Sequence, residues 1–210
     1  MTIHVHDGDL PAGLDLGREV AVDSETMGLA TARDRLCLVQ LSAGDGDAHL
    51  VRFIRPAAGV PPDYEAPRLR ALLADPAVEK VFHFARFDVA VLYHYLGVLA
   101  RPVYCTKIAS KLARTYTDRH GLKDLCRELL GRELAKEQQS SDWGGDILTE
   151  AQTRYAAADV LHLHELRVIL DTMLVREGRD RLARACFEFL PTRAELDEAG
   201  WAGIDVFAHS

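Results

Sequence analysis

Three well-separated segments of this chain set acidic residues into runs that otherwise belong in a protein interior. They are VAVDSETMGL with Asp23 and Glu25, VFHFARFDVAVL with Asp88, and QTRYAAADVLHL with Tyr155 and Asp159. A carboxylate on a packed face is costly unless it is paired or bound to a metal. The fold therefore has to bury the apolar neighbours and still give four acids a shared counter-charge. Two divalent cations are the counter-charge that suits four acids from three segments, and a carboxylate-held metal pair is a standard device for hydrolysing phosphodiesters.

Each segment is weak alone. Asp23 and Glu25 are i and i+2 on a candidate strand, so both point to one face, where they repel unless a cation lies between them. Asp88 falls in the first turns of a candidate helix, where the helix dipole alone would favour an acid. Tyr155 and Asp159 are i and i+4, one above the other on a helix face; a plain surface pair is the other reading. The conjunction of all three, in this order, is far more specific than any one.

Bulk properties narrow the class. The chain has 210 residues, 48% of them hydrophobic and 27% charged, ordinary for one globular domain of good size. The first ten residues, MTIHVHDGDL, have neither the basic nor the apolar region of a signal peptide. No charge-free apolar stretch approaches membrane-spanning length, so a cytoplasmic protein with no membrane contact is expected. Cys37, Cys105, Cys126 and Cys186 lie far apart, without zinc-ligand spacing, and read as free thiols. His162 and His164, i and i+2 on a helix, do not face each other as helical zinc ligands must. The net charge of −7 disfavours unspecific binding to long nucleic acid. Residues 101–136, however, hold nine Lys and Arg against four acids, a local excess that attracts a polyanion or simply forms a solvated face.

Along the chain, 17–25, 35–42, 47–53, 80–84 and 103–106 read as strands, the second and third joined by a GDGD hairpin turn. Helices are expected over 66–76, 85–97, 106–117 and 121–131, then one long helix over 148–178 and a last one over 179–190. This predicts an α/β layer fold with a central mixed five-stranded sheet flanked by helices. A single domain over 1–210 is expected, with its core at about 19–170 and a helical extension over 171–210.

The three motifs resemble those of the DEDD exonucleases, in the tyrosine (DEDDy) branch related to ribonuclease D. Asp23 and Glu25 match DxE, Asp88 the second motif, and Tyr155 with Asp159 the YxxxD motif; SSDW (140–143) and KIAS (107–110) also fit. Phe84 stands where the common Asn four residues before the second-motif acid is found, and no counterpart of ribonuclease D's helical RNA-binding domain is seen. The chain is similar almost end to end to the nanoRNase C family, through VHDGDLP (5–11), RDRLCLVQLS (33–42), CTKIASKLARTYTDRHGLKDLCREL (105–129) and FAHS (207–210).

That resemblance implies an RNase H-like (DnaQ-like exonuclease) fold, a ring-shaped homo-octamer, and 3′–5′ cleavage of very short single-stranded RNA, dinucleotides included, to nucleoside 5′-monophosphates. Two Mg²⁺, replaceable by Mn²⁺, are implied: Asp23 bridges them, Glu25 and Asp159 complete one, Asp88 holds the other through water, and Tyr155 orients the attacking water. DSETMGL is also similar to the DLEMTGL of oligoribonucleases, which brings Thr26, Met27 and Leu29 toward the substrate. Leu29 then sits between two bases; an ordinary loop or core leucine is the alternative. His83 and Phe84 are further substrate candidates, each equally readable as core. Gln138, Ser141 and Trp143 border the pocket, with Arg86 and Lys107 as weaker phosphate contacts. The rival readings are a ribonuclease D-like enzyme that trims structured RNA or DNA, and a non-catalytic RNA-binding scaffold.

Overall fold

Strand β2 (Glu19–Thr26) is the axis of the molecule, because its Val/Ala run is buried on both sides while Asp23 and Glu25 at its far end are not fully enclosed. The structure, a computed structural model, describes residues 2–54, 57, 60, 62–134, 141–145 and 147–209. β3 (Leu36–Ser42) pairs antiparallel with β2, and β4 (Ala48–Arg52) antiparallel with β3 across the GDGD turn. β5 (Glu79–Phe82) and β6 (Val103–Cys105) add parallel strands on the other side of β2. β1 (Ile3–Asp7) lies parallel to β4 as the outer strand, giving the order β1-β4-β3-β2-β5-β6. The sheet thus has six strands, not the five expected. IHVHD alternates in the manner of a strand, but with five residues and two histidines it offers only two β-branched side chains, too few to stand out.

Seven α-helices cover the sheet among the described residues: α1 (Pro67–Ala74), α2 (Ala85–Leu96), α3 (Thr106–Ala113), α4 (Leu122–Leu125), α5 (Glu150–Leu161), α6 (Leu163–Arg176) and α7 (Asp180–Leu196). α2 stops at Gly97, which takes the left-handed conformation that closes helices. α5 starts on a capping box, with Thr149 and Gln152 each bonding the other's backbone N–H.

Four helical stretches differ from expectation, the helix expected over 121–131 being α4 followed by a π-turn over Cys126–Leu130. α3 ends at Ala113 rather than Thr117; Arg114 is drawn inside, where its guanidinium bonds Ser110 Oγ, the Arg119 carbonyl and Glu128. The long helix over 148–178 breaks at His162, whose ring meets Arg132 Nη1 at 2.8 Å. α7 runs past Pro191 to Leu196 and then widens into a π-turn, Asp197–Trp201. Cys37, Cys105 and Cys126 are buried free thiols and Cys186 is exposed. Among the described residues no helix is long and apolar enough to cross a membrane.

Candidate active site

The acids meet because three elements end at one place. On β2, the side chains of Asp23 and Glu25 share a face and Ser24 takes the other. Across the ladder, Gln40 of β3 stands opposite Asp23 and donates from Nε2 to Asp23 Oδ2 at 3.4 Å. α5 packs against β2, β3 and β4 on its Ala156–Ala157 side, close enough to bring Asp159 to the strand. Carboxylate oxygens of Asp23, Glu25 and Asp159 then lie within 4.8 Å of one another. Asp88 stands slightly apart in the first turn of α2, only 3% exposed, and accepts from Ser24 Oγ at 2.7 Å. Ser24 therefore ties the second-motif acid to the DxE strand.

Electrostatics show what this arrangement lacks. Burial, joined by the charges of Asp88, Asp159 and Glu25, raises Asp23 well above the usual carboxylate range, although the Ser24 backbone N–H opposes the shift. Burial and the charges of Asp159 and Asp88 push Glu25 up to about 9. Burial likewise carries Asp88 and Asp159 to about 7 each, against the hydrogen bonds from Ser24 and Tyr155. Among the described residues no lysine or arginine contributes to these shifts. An all-carboxylate donor set short of positive charge fits hard divalent ions such as Mg²⁺ or Mn²⁺. Its residues would be Asp23, Glu25, Asp159 and, from beside them, Asp88.

The groove around the acids has a volume of about 760 Å³. Tyr155 lies one turn before Asp159, and burial and the nearby carboxylates raise its hydroxyl, keeping it protonated. Its ring tilts against buried Trp143, centroids 6.0 Å apart. Thr26, Met27, Leu29, His83, Phe84, Lys107, Ser141 and Trp143 all line the groove. Leu29 is 86% exposed at the tip of the β2–β3 loop, which rules out the core-leucine reading. That loop is internally braced. Asp34 accepts from the Ala30 N–H at 2.9 Å, the Asp34 N–H returns a bond to the Ala30 carbonyl, and the Tyr95 hydroxyl donates to the Thr31 carbonyl at 2.8 Å. Gly28 is needed there, because a Cβ would run into the Asp34 carboxylate.

Phe84 is half-exposed, with Lys107 Nζ 4.4 Å above its ring. His83 is half-buried against Thr106, with Nδ1 3.0 Å from Oγ1, and burial followed by the Lys107 charge lowers it to about 3. It is therefore a neutral ring at the base of the groove.

One expectation changes. Arg86 is not free for a phosphate: it holds Asp197 with Nε at 2.7 Å and Nη2 at 2.8 Å, and also the Ala202 carbonyl. Its partner lies 111 positions away, out of reach of any local sequence pattern. Gln138 lies outside the described residues. Sequence reasoning also passed over Ser24 and Gln40, the two polar partners of the acids. Strand alternation places Ser24, and a wholly buried glutamine in an apolar strand was the signal for Gln40. Lys123 and Leu134, which also line the groove, carried no such signal.

Comparison with known proteins places these features in company. A family model described as a 3′-5′ exonuclease matches residues 10–175. Among solved structures, NrnC of Brucella melitensis bound to pGG is 54% identical over the whole of both chains, with a TM-score of 0.94. The same protein with bound Mg²⁺ is 53% identical over the whole of both chains, with a TM-score of 0.92. RNase D of Escherichia coli, described as an exoribonuclease involved in structured RNA processing, is 27% identical over 85% of this chain and 45% of its own, with a TM-score of 0.72. Ribonuclease D of Gluconacetobacter diazotrophicus is 38% identical over 160 residues, which are 76% of this chain and 39% of the relative. The chain thus spans about two-fifths of the length of such curated relatives.

Proposed function

Since the chain belongs to the 3′-5′ exonuclease family, we propose that it hydrolyses short single-stranded RNA, dinucleotides included, from the 3′ end to nucleoside 5′-monophosphates. The observation that carries this reading is the convergence of Asp23, Glu25 and Asp159 within 4.8 Å, with Asp88 joined to them through Ser24. The preference for short RNA is supported by whole-chain similarity to a protein solved with pGG.

Bound at these carboxylates, two Mg²⁺ supply Lewis-acid stabilisation of charge on the attacking and leaving oxygens of an in-line displacement. Mn²⁺ substitutes, since it accepts the same oxygen ligands. The residues do the rest. The protonated Tyr155 hydroxyl, set between Asp159 and the groove, orients the attacking water. Asp23, Glu25, Asp88 and Asp159 hold the cations, and Ser24 and Gln40 fix two of those carboxylates. Leu29 and Phe84 offer apolar surface to bases, as single-strand binders do, and Lys107 offers charge to the backbone. By the same reading the chain works in the cytoplasm as a homo-octamer, which its mass in solution checks.

Two substitutions test the groove. Tyr155→Phe keeps the ring against Trp143 and removes only the hydroxyl. The expected result is a fall in kcat of about 10²-fold with Mg²⁺ affinity unchanged. A Cβ at Gly144 would press on Met27 Sδ and approach Arg35 Nη2. Arg35 holds that loop by donating to the Gly144 carbonyl at 3.2 Å. Gly144→Ala is therefore expected to displace Met27 into the groove and raise KM about fivefold, equivalent to roughly 1 kcal/mol, with little change in Tm.

The deciding experiment is cleavage of 5′-labelled RNAs of graded length, from the dinucleotide upward, with Mg²⁺ and with EDTA. Cutting of the dinucleotide at least as fast as longer RNA, abolished by EDTA, is the expected result. Efficient trimming of long or structured RNA with the dinucleotide left intact would support a ribonuclease D-like role instead. No cutting of any of these RNAs with Mg²⁺ would support a non-catalytic scaffold.

A further inference from the structure

The outer edge of the sheet, three strand spacings or about 14 Å from β2, carries a cluster of three histidines. His4 and His6 project from one face of β1, and His49 of β4 stands in register with His4. His6 Nε2 and His49 Nδ1 are 3.0 Å apart. The His4 and His49 rings stack with centroids 4.8 Å apart, and His4 Nε2 lies 3.8 Å from Asp47 Oδ2. Three imidazoles beside a carboxylate form a donor set unlike that of the groove.

We propose that His6 and His49, completed by His4 or Asp47, bind a borderline transition-metal ion such as Zn²⁺ or Ni²⁺, in a site separate from the carboxylate centre. Two nitrogens on one tetrahedral ion, each at about 2.0–2.1 Å, lie roughly 3.3–3.4 Å apart. The His6–His49 pair needs to open by only a few tenths of an ångström to reach that spacing. In the pair as it stands, one ring donates its N–H to the other's lone pair. Binding requires the donor ring to move its proton to its other nitrogen, so two neutral ligands face the ion. Burial and the neighbouring histidines hold His6 and His49 below the usual histidine range, which favours the neutral, ligating form at neutral pH. The rings now stack rather than converge, and turning His4 about its side-chain bonds brings in the third donor. Imidazole selects Zn²⁺, Ni²⁺ or Cu²⁺ over Mg²⁺, so the two sites would divide the cations between them. An ion bridging His6 and His49 would staple the outer strand to β4.

The test is calorimetric titration of the full chain with Ni²⁺ in saturating Mg²⁺, which keeps the carboxylates filled. One Ni²⁺ per chain is expected, lost in His6→Ala/His49→Ala and retained in Asp23→Asn. Far-ultraviolet circular dichroism checks that each variant is folded. Uptake that survives in the folded histidine variant, or no uptake by the unmodified protein, overturns the proposal. Should the double variant misfold, Co²⁺ added to the unmodified protein in saturating Mg²⁺ decides: intense visible bands of tetrahedral nitrogen ligation support the site. A spectrum no different from aqueous Co²⁺ overturns it.

Discussion

Asp23→Ala abolishes RNA cleavage, by on the order of 10³-fold or more, and leaves the metal-free fold at least as stable as before. Most substitutions of an enclosed residue destabilise; this one should not, for a reason visible in the site. Asp23 is held above its ordinary range first by burial and then by Asp88, Asp159 and Glu25. Alanine removes that burden and loses a long 3.4 Å bond from Gln40 and the contact with the Ser24 backbone N–H. Turnover by the labelled-RNA assay and Tm in EDTA are the two measurements. Appreciable cleavage by a folded Asp23→Ala protein would sink the catalytic assignment. A collapse in Tm would mean that Asp23 holds the fold together rather than a cation.

Mg²⁺ raises Tm strongly at pH 8.5 and weakly at pH 5. In the metal-free protein Asp88 and Asp159 release their protons near 7 and Glu25 near 9, whereas unfolded carboxyls do so near 4. Between those limits the folded chain holds more protons than the unfolded chain, so its stability falls as pH rises. The contribution of these groups is complete below about pH 4 and is lost on the way to pH 9. Each tenfold difference in proton affinity between the folded and unfolded chain corresponds to about 1.4 kcal/mol, so several kcal/mol are in play. A cation replaces the protons and restores what ionisation removes. Tm scans across pH with Mg²⁺ and with EDTA give the comparison. An Mg²⁺ effect equal at both pH values would show that the acids are not linked as described.

What the sequence revealed about this site depended on local periodicity. Period two on β2 puts Asp23 and Glu25 together, and an i, i+4 step on α5 puts Tyr155 above Asp159; both relations are set within a few residues. Asp88 was legible as an acid near a helix start, but its bond to Ser24 spans 64 positions and leaves no trace in either segment. The Arg86–Asp197 pair was hidden in the same way. β1 went unseen because polar histidines occupy one face of a short strand. α7 outran its expected end because a proline after three helical turns does not outweigh the packing of Phe187, Leu190 and Ala194.

Leu29 leads to a different kind of statement. Leaving it in water withholds from folding the roughly 1.5–3 kcal/mol that full burial of a leucine provides. Polar bonds around Asp34, rather than apolar contacts, fix its position. The withheld free energy becomes available only to a visitor that covers the side chain. Since the loop is already ordered, little of it goes into organising the backbone on contact. The β2–β3 loop thus lowers the stability of the lone molecule and keeps the difference as affinity for whatever settles on its tip.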